Sequence, residues 1–166
     1  MTDPKLELRQ KILSKIQPPR IGPNKTEAVP DAEHLQTERL QAAIDALSAA
    51  GGGVLVFPAG VYRTGALHLK SGVELHLASP KTLLAFTPEE PERNYPLVLS
   101  HWEASPCYNY SALLYARDAH DIAVTGCGTL DGGADRDHWW NWHHQVEDSW
   151  SADKPDLQLA ARKALR

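Results

Sequence analysis

From Val54 onward the chain is a succession of short apolar or alternating runs: "VLVFPAG", "ALHLKSG", "VELHLASP", "TLLAF", then "SALLYA", "DIAVTG" and "GTLDG". Each is stopped by Gly, Pro, Ser or Asp, the pattern of strands and turns in quick succession. No helical stretch separates them, whereas a doubly wound sheet needs a helix between consecutive parallel strands. That architecture is therefore not expected, and a sandwich, a barrel or a solenoid of strands remains. The runs start near residues 54, 66, 73, 82, 112, 121 and 128, too unevenly for spacing alone to select the solenoid.

Two helices are expected ahead of the strands. "KLELRQKILSKI" scatters Leu6, Leu8, Ile12, Leu13 and Ile16 among charges, an amphipathic helix ended by Pro18 and Pro19. A polar, Pro-bearing stretch to about Asp31 reads as a linker or wrapped arm. "TERLQAAIDALSAAGGG" then places Leu40, Ile44 and Leu47 at i, i+4 and i+7, with Thr37 as N-cap and the glycines from Gly51 as the stop.

Composition narrows the partners. A formal charge of -4, with Lys and Arg scattered along the 166 residues, makes no basic stripe, so no nucleic-acid partner is expected. Cys107 and Cys127 are two thiols outside any CxxC pair, too few for a zinc site, and are expected reduced and partly buried. The first twenty residues hold no uninterrupted apolar run, so no secretory signal is read there. No segment reaches the roughly 20 apolar residues of a membrane span. A cytoplasmic protein with no membrane partner is the expectation; oligomeric state is left open.

The stretch "GCGTLDGGADRDHWWNWHH", residues 126 to 144, concentrates carboxylates, imidazoles and indoles. In a strand, Asp135 and Asp137 would share a face at about 6.5 to 7 Å, within the roughly 6.5–9.5 Å of an inverting glycosidase. Gly132, Gly133 and the charges argue instead for a turn, in which Asp side chains bond nearby backbone. His138, His143 and His144 lack a third ligand at a recurring metal spacing, so neither metal nor other cofactor is expected. Trp139, Trp140 and Trp142 suit both turn packing and sugar stacking. "HWEASPCYNYS" is loop-like and too polar for pure core; its Trp102, Glu103, Tyr108, Asn109 and Tyr110 suit a carbohydrate cleft or the tethering of a loop.

A resemblance goes further. "LQAAIDALSAAGGGVLVFPAGVYRTGALHLKSGVELHL" and "YPLVLSHWEASPCYNYSALLYARDAHDIAVTGCGTLDGGADRDHWW" follow, in order, the N-terminal motifs of family 28 glycoside hydrolases, the polygalacturonase family of the pectate-lyase-like superfamily. "ASPKT" and Cys127 depart from residues common there. The resemblance implies a mainly β fold: the N-terminal coils of a right-handed single-stranded parallel β-helix, a truncated solenoid, with the helix near Thr37–Ala50 capping an apolar end. A solenoid's terminal coil needs such a cover. The expected division is an N-terminal helix and arm over 1–33, coils over 34–150, and a helical or loop excursion over 151–166.

The resemblance also implies a substrate and a reaction: hydrolysis of galacturonide oligo- or polysaccharides with inversion, by a carboxylic acid and a carboxylate-activated water. The family assigns that work to Asn-Thr-Asp, Asp-Asp, Gly-His-Gly and Arg-x-Lys motifs on later coils. No Asn-Thr-Asp, Asp-Asp, Gly-His-Gly or Arg-Ile-Lys occurs in these 166 residues, so no catalytic residue is assigned. "KPDLQLAARKALR" ends without a helix stop, and the chain is expected to be the N-terminal piece of a longer enzyme, inactive by itself. Trp102, Glu103, Tyr108, Asn109, Tyr110, Trp139 and Trp140 are the candidate substrate contacts. A non-catalytic carbohydrate-binding segment and a purely structural one are the alternatives.

Overall fold

The computed structural model describes residues 4–102, 105–135 and 138, with the side chain of Trp102 left aside. Two helices and an early pair of strands come first: α1 (Pro4–Leu13), β1 (Asn24–Glu27), β2 (Asp31–Leu35) and α2 (Thr37–Ala49). The strands β3 (Gly53–Phe57), β4 (Gly60–Thr64), β5 (Leu67–His68), β6 (Val73–Leu77) and β7 (Thr82–Phe86) follow. After the short α3 (Pro91–Asn94) come β8 (Leu97–Trp102), β9 (Ser105–Tyr110), β10 (Leu114–Tyr115), β11 (Ala123–Gly126) and β12 (Thr129–Asp131).

The chain alternates between parallel sheets. One has the order β1-β3-β6-β11, the second β12-β7-β4-β2, and β5 pairs with β10 in a short third ladder. All these pairings are parallel, and among the described strands only β8 and β9 form an antiparallel pair. The described strands close no barrel. Alternation along each strand explains the core: Val73, Leu75 and Leu77 of β6 point inward, with Glu74 and His76 between them half-buried. In-register stacking places Leu55 against Leu75 and Tyr62 against Leu84, all at 0% exposure.

α2 covers one end of this core. Leu40, Ile44 and Leu47 fall on one stripe and are 2%, 0% and 4% exposed; each such side chain contributes about 1.5–3 kcal/mol on burial. The Gly run stops the helix as expected: Gly51 and Gly52 both have φ +91, and the Gly52 N–H returns to the Leu47 carbonyl at 2.8 Å. Gly52 is also required by space, because a Cβ there would lie 2.4 Å from the Gly72 carbonyl oxygen. At the far side, Val124 and Leu130 are in register with Leu75 and Leu84 but remain 42% and 43% exposed.

Four expectations need correction. The stretch read as a linker or wrapped arm supplies β1 and runs into β2 at Asp31, and the two strands pair with β3 and β4; their polar residues face outward at the sheet margins, so they lack an apolar signature. α1 forms, yet it buries none of its residues, and Leu6, Leu8, Ile12 and Leu13 are all more than half exposed. Thr37 is the first residue of α2 and not its N-cap; Gln36 holds that place, and the Thr37 hydroxyl accepts from the Gly65 N–H at 2.7 Å. Both thiols are free, but Cys127 is exposed while Cys107 is buried.

Candidate functional site

The stretch that reads as a loop in sequence is the β8–β9 hairpin. Its register sets Leu97 opposite Tyr110, Leu99 opposite Tyr108 and Ser100 opposite Cys107. Because directly paired residues share a face and neighbours alternate, Leu97, Leu99, Tyr108 and Tyr110 lie on one face, and Cys107 and Asn109 on the other. Cys107 is 4% exposed, which makes its face the inner one; Tyr108 and Leu97, at 43% and 41%, mark the outer one. Tyr110 and Leu99 are half-buried beside them.

The hairpin is fastened at its base. The Tyr115 hydroxyl donates to the Leu99 carbonyl at 2.9 Å, and the Ser111 N–H to the Pro96 carbonyl at 2.9 Å. Just before β8, the fully buried Tyr95 hydroxyl donates to the Thr87 carbonyl at 2.7 Å. Burial pushes the Tyr95 phenol up to about 12, so it stays a neutral donor through the physiological range.

Of the seven candidate contacts, Tyr108 and Tyr110 come together on the outer face. Asn109 is set on the opposite side, its side-chain oxygen accepting from the Tyr110 N–H at 3.0 Å. The Trp102 backbone ends β8 opposite Ser105. Glu103, Trp139 and Trp140 lie outside the described residues, as do Asp137, Trp142, His143, His144 and the segment 151–166. Asp135 is exposed and its Oδ1 accepts from the His138 N–H at 2.8 Å, the backbone bond of a turn aspartate.

Two further groupings are visible in the structure and were not singled out in the sequence. On the outer side of β6 and β11, Thr125 Oγ1 donates to Glu74, and His76 Nδ1 lies 2.7 Å from the same oxygen. With the hydroxyl proton committed to Glu74, Nδ1 must donate, so the imidazole cannot take a proton from this threonine. The described residues hold no cluster of three metal-ligating side chains, and none of their helices is long and apolar enough to cross a membrane.

The second grouping lines a cleft of about 320 Å³ between the last turn of α2 and the β5–β10 ladder, with His68, Lys70, Tyr115 and Arg117 on its walls. His68 and Tyr115 are paired in register, their rings 5.1 Å apart at 54°. His68 Nε2 reaches Ser111 Oγ at 3.2 Å, and the Gln41 amide clasps its backbone, accepting from N–H at 2.8 Å and donating to C=O at 2.9 Å. Burial, and next the charge of Lys70, hold the imidazole below its usual range. The sequence did carry a signal for this grouping: "LHLK" at 67–70 and "LYAR" at 114–117 share a pattern, and their first two residues pair as β5 and β10.

Comparison with solved structures places these features in context. A hyperthermoactive exopolygalacturonase from Thermotoga maritima is 38% identical over 96% of this chain, with a TM-score of 0.79. A family 28 exopolygalacturonase from Yersinia enterocolitica is 29% identical over 67% of it, with a TM-score of 0.56. The chain spans 36% of the first protein and 21% of the second. No protein-family profile and no curated protein matches the sequence.

Proposed function

From a chain that is similar to the N-terminal region of family 28 glycoside hydrolases along nearly all of its length, we propose that it serves a glycosidase acting on galacturonic-acid-containing oligo- or polysaccharides. The observation that carries this reading is the 38% identity to the Thermotoga exopolygalacturonase with a TM-score of 0.79. In this reading the parallel sheets are the first coils of a right-handed parallel β-helix and α2 is its cap. A core stacked rung upon rung, covered at one end by Leu40, Ile44 and Leu47, supports it.

The reaction is hydrolysis with inversion, in which one carboxylic acid protonates the leaving oxygen and a carboxylate activates water from the opposite side. No residue of this chain is assigned either role, because the 166 residues contain none of the family's carboxylate motifs. What the chain contributes is framework and contact. The outer face of the hairpin offers the ring of Tyr108 beside Tyr110, apolar faces with polar edges of the kind that sugars stack on.

Calorimetric titration with trigalacturonate, with product followed by NMR, tests this. Binding that Tyr108→Ala weakens by about tenfold or more, without release of new reducing ends, is the expected result. Turnover by this chain would overturn the assignment of catalysis elsewhere. Absence of binding would leave a structural segment in place of a carbohydrate-contacting one.

A further inference from the structure

His68 stands where the hairpin joins the rest of the molecule, and it touches two of the residues that fasten the hairpin there. Ser111, which follows β9 and donates its N–H to Pro96 ahead of β8, is 6% exposed, and its hydroxyl lies 3.2 Å from His68 Nε2. Tyr115, whose hydroxyl ties down the Leu99 carbonyl in β8, lies ring to ring with His68 at 5.1 Å. Behind the imidazole, the Gln41 amide of α2 grips the His68 backbone at N–H and C=O, at 2.8 and 2.9 Å. The backbone of this histidine is thus fixed to the cap helix, and its ring is the piece that reaches the hairpin.

The placement of protons makes that contact sensitive to charge. The Ser111 hydroxyl gives its single proton to the Ala112 carbonyl at 2.9 Å. It can then only accept from His68, so the neutral ring carries its hydrogen on Nε2. Nδ1 has no hydrogen-bond partner among the described residues. A second proton would go to Nδ1, and the imidazolium would need a carboxylate. Asp45 of α2 already faces Lys70 at 4.0 Å and the Gln41 amide at 3.1 Å, and Asp118, beyond β10, pairs with Arg117 at 3.4 Å. The Tyr115 phenol is neutral and Ser111 offers only a hydroxyl. The charges around the ring therefore match in pairs, and a further cation in this half-buried place is costly.

We propose that His68 is a positioning residue for the hairpin: as a neutral donor it holds the Ser111–Tyr115 root and keeps the Tyr108 face in place, and on protonation it lets that root loosen. The functional consequence, weaker sugar binding in acid, rests on the carbohydrate reading of the hairpin given above. The sign follows from burial and then the charge of Lys70, which outweigh Asp45 and hold the imidazole below its ordinary 6.5. The fastened state binds fewer protons than the loosened one, so the fastening is complete above pH 6.5 and declines as pH falls below it.

Hydrogen exchange of the Ser111 amide, held by the Pro96 carbonyl, reads the root with no ligand present. Its protection, corrected for the intrinsic exchange rate, is expected to fall about threefold or more between about pH 7.5 and about pH 5. His68→Gln keeps an amide donor for Ser111 but does not titrate, and should hold the protection level over the same range. Ser111→Ala, which removes the acceptor and leaves His68 in place, should lower the protection at both pH values and flatten the slope. No slope in the native chain, or a slope unchanged in His68→Gln, overturns the proposal; should His68→Gln fail to fold by circular dichroism, an unchanged slope in Ser111→Ala overturns it. Trigalacturonate affinity should fall together with the protection in the native chain and stay level in His68→Gln. Trigalacturonate that binds at neither pH, with the protection slope intact, removes the carbohydrate reading and upholds the role of His68, so the two failures are seen separately.

Discussion

The parallel sheets and the β8–β9 hairpin are both made of short strands, but they use their residues in opposite ways. In the sheets, Leu55 is stacked on Leu75 and Tyr62 on Leu84 one strand away, and all four are fully buried. In the hairpin the two strands pair, among the described residues, with each other alone; one face is tucked in by Cys107 and the other leaves Tyr108 and Leu97 more than 40% exposed. Stacking produces a framework whose side chains are committed to packing. The hairpin, fastened at its root, keeps Tyr108 and Leu97 exposed on one face.

The largest effect is expected inside the sheets, between a buried and an exposed position. Leu75→Ala removes a fully buried side chain and is expected to cost about 2–5 kcal/mol, read from urea midpoints. Leu130→Ala, in register with a core leucine but 43% exposed, should cost well under half of that. Equal losses would mean that burial does not set the energetics.

Tyr95 joins the two regions, and its titration gives the next effect. With its folded value at about 12 against an ordinary 10.0, the folded state keeps a proton that the unfolded chain has lost. The stabilisation is therefore complete below pH 10 and lost as pH rises through 10 to about 12. The amount is of the order of 2–3 kcal/mol for this fully buried ring. Tyr95→Phe should abolish that alkaline slope in a stability-against-pH series.

Smaller still is Tyr62→Phe. The hydroxyl donates to the Pro58 carbonyl at 3.0 Å while the ring packs edge-on to Phe57 at 5.1 Å, so the variant keeps the packing and loses about 1 kcal/mol. Tyr108→Ala should change stability least, by under about 0.5 kcal/mol, while abolishing most oligogalacturonide binding. A large stability loss there would make Tyr108 a packing residue and remove the contrast.

How much of this was legible depended on whether a residue's neighbours were local. α2 could be read because Leu40, Ile44, Leu47 and the following glycines lie on one helix and its stop. β6 and β7 could be read because buried and half-buried residues alternate, and β3 because it is a short continuous apolar run. β1 and β2 could not, since "NKTE" and "DAEHL" carry mostly exposed positions and owe their strand form to pairing with β3 and β4. The hairpin was hidden for a related reason: it is polar on much of its surface, and its register is a contact between strands. Tyr108 and Tyr110 were picked out by type, but only the strand period sets Asn109 on the opposite side from them. His68, Lys70, Tyr115 and Arg117 were missed although "LHLK" and "LYAR" repeat a pattern, because the repeat acquires meaning only when β5 and β10 are paired.

The most direct test of the central claim is a titration with trigalacturonate in which each backbone amide is followed by NMR. The account predicts that amides of Leu97, Leu99, Tyr108 and Tyr110 shift on binding, and that these shifts vanish in Tyr108→Ala. Binding that leaves the hairpin amides unmoved would contradict it.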